Sequence, residues 1–168
     1  MQDAGDGPDD GVRTAEPEDL ELTPAVEAAA DALFEPLGIT GLPPPQTARE
    51  RAAAWRVLVA GRPAVAFAAL ERVDGDVHLE QLSVHPTAGR RGLGSALLEA
   101  AVHAARAAGA ARITLTTYAD VPWNGPWYAA RGFREIADPG PELAALVAAE
   151  AVAGLEVHGR RVVMARPL

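Results

Sequence analysis

Residues 80–101 read EQLSVHPTAGRRGLGSALLEAA, a strand-like run, then a glycine and arginine loop, then an amphipathic helix with no spacer between them. That order can hold an anion. A helix start leaves backbone N–H groups without internal partners and carries the positive end of the helix dipole. Glycine lets the main chain approach a phosphate closely, and arginine adds charged donors. Gly89, Arg90, Arg91, Gly92, Leu93, Gly94 and Ser95 are therefore the candidate cradle. The competing explanation is an ordinary glycine-rich turn. A dinucleotide fingerprint is excluded, because its third small position would fall on Leu97.

The elements around this loop follow from spacing and turn residues. Residues 12–15 are predicted as a short first strand. Pro17 suits a helix start, and Val26, Ala29, Ala30, Leu33 and Phe34 keep helical spacing after it. The run LGITGLPPP at 37–45 forbids helix, and residues 46–54 could restart one. Residues 55–60, 64–70 and 77–84 read as three successive antiparallel strands, joined at Gly-Arg-Pro and at Asp74-Gly75. The clearest helix spans 92–108. Leu97, Leu98, Ala101, Val102 and Ala105 form its apolar face, Ser95, Glu99, His103 and Arg106 its polar one, and Gly109 ends it. A buried strand at 112–118, a short helix at 125–131, a strand at 133–136, a helix at 141–153 and a last strand within 156–166 complete the order. The fold class is mixed α+β, an antiparallel meander followed by β-α-β units in one domain over residues 12–168. Residues 1–11 are expected to be a disordered acidic tail.

Composition narrows the chemistry. There is no cysteine, so disulfides, thiol nucleophiles and thiolate zinc sites are excluded, and no metal ligand set is read. All 15 basic residues are arginine, which removes the phosphate-loop lysine and any Schiff base. Of the net charge of −8, residues 1–21 carry −7 (eight acids and Arg13), so the body is near neutral and has no basic footprint for nucleic acid. No run is long and apolar enough for a membrane span, and the acidic, polar start is not a signal peptide. A cytoplasmic location is the expectation.

The segment LSVHPTAGRRGLGSALL resembles the cofactor motif of the GNAT N-acetyltransferase superfamily, Q/R-x-x-G-x-G/A after a strand ending V-x-P. Gly92 and Gly94 match the glycines, and Val84 and Pro86 the V-x-P. Gly89 stands where the family has Gln or Arg, and Arg90 is the candidate for the displaced donor. Downstream, Tyr128, Gly132 and Phe133 match the family's Y-x-x-x-G-F. Asn124 lies four residues before the tyrosine, where the family's asparagine lies seven before, and a helix N-cap is the competing role.

The resemblance implies a twisted mixed sheet holding acetyl-CoA as co-substrate between two central strands. It places backbone groups of Leu82, Ser83 and Val84 along the pantetheine arm and the 89–95 loop around the pyrophosphate. A bulge in that strand would splay the central pair. Tyr128 is then the candidate general acid, and Glu80 the candidate general base, with His78 as the other possibility. Strict alternation places Glu80, Leu82 and Val84 on one face unless a bulge shifts them. The simpler explanations are a packed tyrosine and a solvated glutamate. Asp120 could meet a cationic acceptor or form a turn, and His85 reads as a loop residue. Tyr118, Trp123, Trp127 and Tyr128 could wall the acceptor site or fill the core. The helix at 141–153 could cover the cleft. The implied activity is transfer of acetyl to an amine of a small molecule or peptide. The alternative is a CoA-binding sensor module without efficient turnover, which Gly89 favours. The family resemblance also allows a homodimer paired through terminal strands.

Overall fold

Seven strands and six α-helices alternate along residues 11–168, the part of the chain that the computed structural model describes. The order is β1 (Val12–Thr14), α1 (Pro17–Leu20), α2 (Thr23–Asp31), α3 (Ala48–Arg51), β2 (Arg56–Ala60), β3 (Ala66–Val73), β4 (Asp76–Val84), α4 (Leu93–Ala107), β5 (Arg112–Tyr118), α5 (Gly125–Ala129), β6 (Arg134–Glu135), α6 (Pro141–Val152) and β7 (Arg161–Pro167). Short 3-10 helices follow α2 (Ala32–Leu37), β4 (Pro86–Ala88) and α6 (Leu155–His158). The tail expectation for residues 1–10 lies outside the described residues.

All strands join one sheet in the order β1-β2-β3-β4-β5-β7-β6. Every pairing is antiparallel except β4 with β5. There is thus one β-α-β unit, β4-α4-β5, where the sequence suggested several. β7 inserts between β5 and β6, so the later strands pair antiparallel as well. The β3–β4 hairpin closes through Asp74 and Gly75, both at positive φ, as a two-residue turn requires.

α4 lays its predicted face on the sheet. Leu97, Leu98, Ala101, Val102 and Ala105 are each at most 1% exposed, packed in one cluster with Leu70, Val77 and Ile113. Each buried leucine stabilises the fold by roughly 1.5–3 kcal/mol. Leu97→Ala is expected to cost about 2–5 kcal/mol, measured by denaturant unfolding. The opposite face is covered from α2, where Val26 meets Val59, Phe67 and Ala69. The expected helix at 46–54 shrinks to α3, capped by Thr47, whose hydroxyl accepts from the Glu50 amide.

The feature that positions a site is local. β4 carries one extra residue opposite the Ala69/Leu70 step: Gln81 pairs with Ala69 and Leu79 with Leu70, leaving Glu80 unpaired. A bulge bends and twists its strand. Beyond it β4 and β5 part, since they pair only at Val77↔Ile113 and His78↔Thr114. Among the described residues no helix is long and apolar enough to cross a membrane.

Candidate active site

The parting of β4 and β5 opens a cleft of about 1340 Å³. Its walls are β4 from Leu79 to Val84 and β5 from Thr116 to Tyr118, with α2, α4 and α5 around them. Past His78, alternate main-chain N–H and C=O groups of β4 face this gap with no strand beside them. Leu82 and Val84 pack their side chains on the α4 side, while Ser83 is buried on the other face and accepts from Gln81 Nε2 at 2.9 Å.

At one end lies the start of α4. Gly92 is the N-cap residue at φ +78, a left-handed backbone that side chains resist. Arg90 takes the same region at φ +62. The amides of Leu93, Gly94 and Ser95 belong to the first turn, where no internal acceptor exists. A Cβ on Gly94 would meet Trp127 and Val84 at 3.7 Å, an ordinary contact distance. Gly89, Arg90, Gly92, Leu93, Gly94 and Ser95 line the cleft; Arg91, expected with them, is exposed and outside its wall. Consecutive side chains diverge at the Arg90 turn. A second guanidinium replaces it. Arg131 stacks 3.7 Å over the Trp127 ring, donates to Trp127 O at 3.0 Å and to Ser95 Oγ at 3.1 Å, and lines the cleft. Sequence reading missed it. The available signal was its place three residues after Tyr128, in the turn that ends α5. Free amides and two guanidiniums fit a diphosphate.

α5 carries Tyr128 to the cleft floor. Its first residue, Gly125, is needed sterically, because a Cβ there would lie 2.5 Å from Ala119 O at the end of β5. Tyr128 is held edge-on between Trp127 and Phe133, at 5.0 and 5.5 Å between ring centroids. The residue is 9% exposed, and burial pushes its phenol well above the ordinary value of 10.0. The group therefore stays protonated, a hydrogen-bond donor at every physiological pH. Asn124 lines the cleft and stands at the N-cap position of α5, but its side chain makes no capping bond; its carbonyl accepts from the Tyr128 amide at 3.0 Å.

The bulge decides where Glu80 points. It removes Glu80 from the face of Leu82 and Val84, where strict alternation put it, and turns it toward α2 and α3. Arg51, fully buried, donates to Glu80 Oε2 and Glu27 Oε2, each at 2.5 Å, and stacks 4.9 Å over Phe67. Gln46 Nε2 stands 3.5 Å from Glu80 Oε1. Burial is the largest effect on Glu27 and pushes its carboxyl up to about 7, against the pull of Arg51. Neither Arg51 nor Glu27 was singled out from sequence, since no local pattern joins residues 24 and 29 positions apart.

His78, the other candidate base, is 4% exposed, bonded through Nδ1 to Thr114 Oγ1 at 2.9 Å, and absent from the cleft wall. Burial pushes its imidazole down to about 4. Its NMR ring shifts are expected to stay flat from about pH 5.5 to 8. A midpoint near the ordinary 6.5 would refute this placement. Asp120 is exposed and outside the cleft wall. His85 is a loop residue whose Nδ1 accepts from the Thr87 amide at 3.3 Å.

The far end of the cleft is aromatic and acidic. Phe34 packs against Trp123 and Tyr118 at 5.4 and 6.1 Å. All four clustered aromatics line the cleft, and Tyr118 and Tyr128 are also core residues, so both sequence explanations hold for them. α6 reaches this end too. Its start is held by the hairpin turn, where the Asp74 carboxylate accepts from the amides of Glu142 and Leu143 at 2.9 Å. Its last turns deliver Glu150, which accepts from Thr116 Oγ1 at 2.5 Å and Arg161 Nη2 at 3.0 Å and lines the cleft. Among the described residues no cluster of three or more His, Asp or Glu could hold a metal.

Comparison with known proteins bears on this cleft. A sequence model described as the acetyltransferase (GNAT) family matches residues 23–133. The ribosomal-protein-S18-alanine N-acetyltransferase of Escherichia coli shares the fold with a TM-score of 0.66 at 22% identity, over 94% of this chain and 92% of that one. The PaiA N-acetyltransferase of Thermoplasma acidophilum, solved in complex with coenzyme A, gives 0.67 at 15%, over 94% and 98%. An acetyltransferase of Thermus thermophilus gives 0.62 at 19%, over 94% and 96%.

Proposed function

The chain belongs to the GNAT family of acetyltransferases, and from that premise we propose that it moves an acetyl group from acetyl-CoA to the primary amine of a small molecule or peptide by direct attack. One observation carries the reading. A single cleft joins an arginine-flanked helix start to a carboxylate and a protonated phenol, along a stretch of β4 that has no neighbouring strand.

Acetyl-CoA supplies an activated thioester carbonyl. The amides of Leu93, Gly94 and Ser95, with Arg90 and Arg131, hold its phosphates. The open edge of β4 aligns the pantetheine arm and offers an N–H to the carbonyl oxygen as that oxygen gains charge. Glu80, directly or through a water, takes a proton from the acceptor nitrogen. The new C–N bond forms as the C–S bond breaks. The Tyr128 hydroxyl hydrogen-bonds the departing sulfur and passes it a proton, so the proton lost at nitrogen is balanced by one gained at sulfur. Coenzyme A complexes among the fold relatives support this choice of donor. The sensor-module reading rests on Gly89 in place of a Gln or Arg donor, and two other guanidiniums in the cleft offset that loss.

Calorimetric titration with acetyl-CoA tests the donor. Micromolar binding is expected, weakened about tenfold or more by Arg90→Ala or Arg131→Ala, since a charge-assisted hydrogen bond contributes roughly 1.5–3 kcal/mol. Arg91→Ala is expected to change it less. No binding at about 1 mM would overturn the assignment.

A further inference from the structure

The acceptor end of the cleft has a chemistry of its own. Four carboxylates line it: Glu27, Asp31, Glu80 and Glu150. Two guanidiniums oppose them, and both are already engaged. Arg51 is shared between Glu27 and Glu80, and Arg161 donates to Glu150 and to Thr116 while stacking 4.7 Å over Tyr118. Asp31 is different. It is the last residue of α2, and its carboxylate makes no hydrogen bond or ion pair among the described residues. It is only partly buried, within electrostatic reach of Glu27, and burial pushes its carboxyl up to about 6. A cation docking there would find an unpaired acceptor. A carboxylate would find like charge, with both guanidiniums already engaged.

The walls beside Asp31 are apolar and left open. Leu33, Leu37 and Trp123 are 46%, 49% and 40% exposed, all on the cleft, with Phe34 packed on Trp123 behind them. Large apolar side chains grouped in a concave wall mark a binding surface rather than scattered exposure. An indole there also stabilises a nearby ammonium through its π face.

We propose that the acceptor is a hydrophobic primary amine bearing no carboxylate, whose ammonium is drawn in by Asp31 before Glu80 takes its proton and whose apolar body rests on Phe34, Leu37 and Trp123. The inference rests on the acetyltransferase reading and narrows its substrate class. Free amino acids are disfavoured by their own carboxylate. Polyamines satisfy the charge but leave the apolar wall uncovered.

The test compares phenethylamine, phenylalanine amide, phenylalanine and spermidine by thiol release at saturating acetyl-CoA, with calorimetry of acetyl-CoA alongside. Phenethylamine and phenylalanine amide are expected to exceed phenylalanine and spermidine in kcat/KM by about tenfold or more. Asp31→Asn and Trp123→Ala are each expected to raise KM for phenethylamine about tenfold with kcat and acetyl-CoA affinity little changed. Phenylalanine or spermidine matching phenethylamine would overturn the proposal. So would acetyl-CoA binding without turnover of phenethylamine, and that result would leave the donor assignment standing. Absence of acetyl-CoA binding would instead overturn the donor assignment and the acceptor with it.

Discussion

Tyr128→Phe is expected to lower kcat by about 100- to 10,000-fold while acetyl-CoA affinity changes less than about twofold. The phenol is nearly buried, wedged between Trp127 and Phe133, so phenylalanine fills the same space and loses only the hydroxyl. That hydroxyl bonds to no other residue among the described ones. Its removal therefore leaves no orphaned partner in the free protein, and the whole effect falls on the reacting sulfur. Because burial holds the phenol protonated, the loss should be the same from about pH 6 to 9. Steady-state thiol release over that range is the measurement. A kcat within about fivefold of the parent would remove Tyr128 from the chemistry.

The second large effect is on stability. Arg51→Met is expected to destabilise the fold by about 3–5 kcal/mol, because it leaves the buried Glu27 carboxylate without the one guanidinium that pairs with it among the described residues. For a chain of this size the midpoint of thermal unfolding should fall by on the order of 10 °C. The pH dependence has a definite sign. Burial already raises the Glu27 carboxyl to about 7, and Arg51 is what pulls it down. Without Arg51 the folded state binds a proton that the unfolded chain has lost, so stability falls as pH rises above the ordinary 4.5. The deficit should be larger at about pH 8 than at about pH 5, and adding Glu27→Gln should recover part of it at the higher pH. Thermal melts of the three variants at both pH values decide this. A deficit independent of pH would mean that the lost stacking on Phe67, not the stranded charge, is responsible.

Glu80 and Asp31 show how differently two carboxylates can be read from a chain. Glu80 stood out because it interrupts an apolar strand, VHLEQLSV. Its type was informative, but its direction was not. One unpaired residue opposite Ala69 and Leu70 moves it to the other face of the sheet, and nothing in β4 alone announces that bulge. Asp31 gave no signal at all, being one more acid on an amphipathic helix. It became notable only when the cleft placed it with Leu37 and Trp123, its carboxylate without a partner among the described residues. The same holds for Glu150, delivered from α6 to a hydroxyl 34 positions away.

What the sequence determined by itself was everything governed by neighbours along the chain. α4 and its buried face, the glycine turn before it, the Asp74-Gly75 hairpin, strand β5 and the short helix bearing Tyr128 all rest on local sterics and hydrophobic period. Tertiary structure decided the rest: which face Glu80 occupies, that Arg51 unites Glu27 with Glu80, that Arg131 rather than Arg91 lines the cleft beside the helix start, and that the far end of the cleft is acidic and apolar. Those contacts join residues tens of positions apart. They depend on strand register and on where β4 and β5 separate, quantities set by the packing of the whole sheet and not by any one segment.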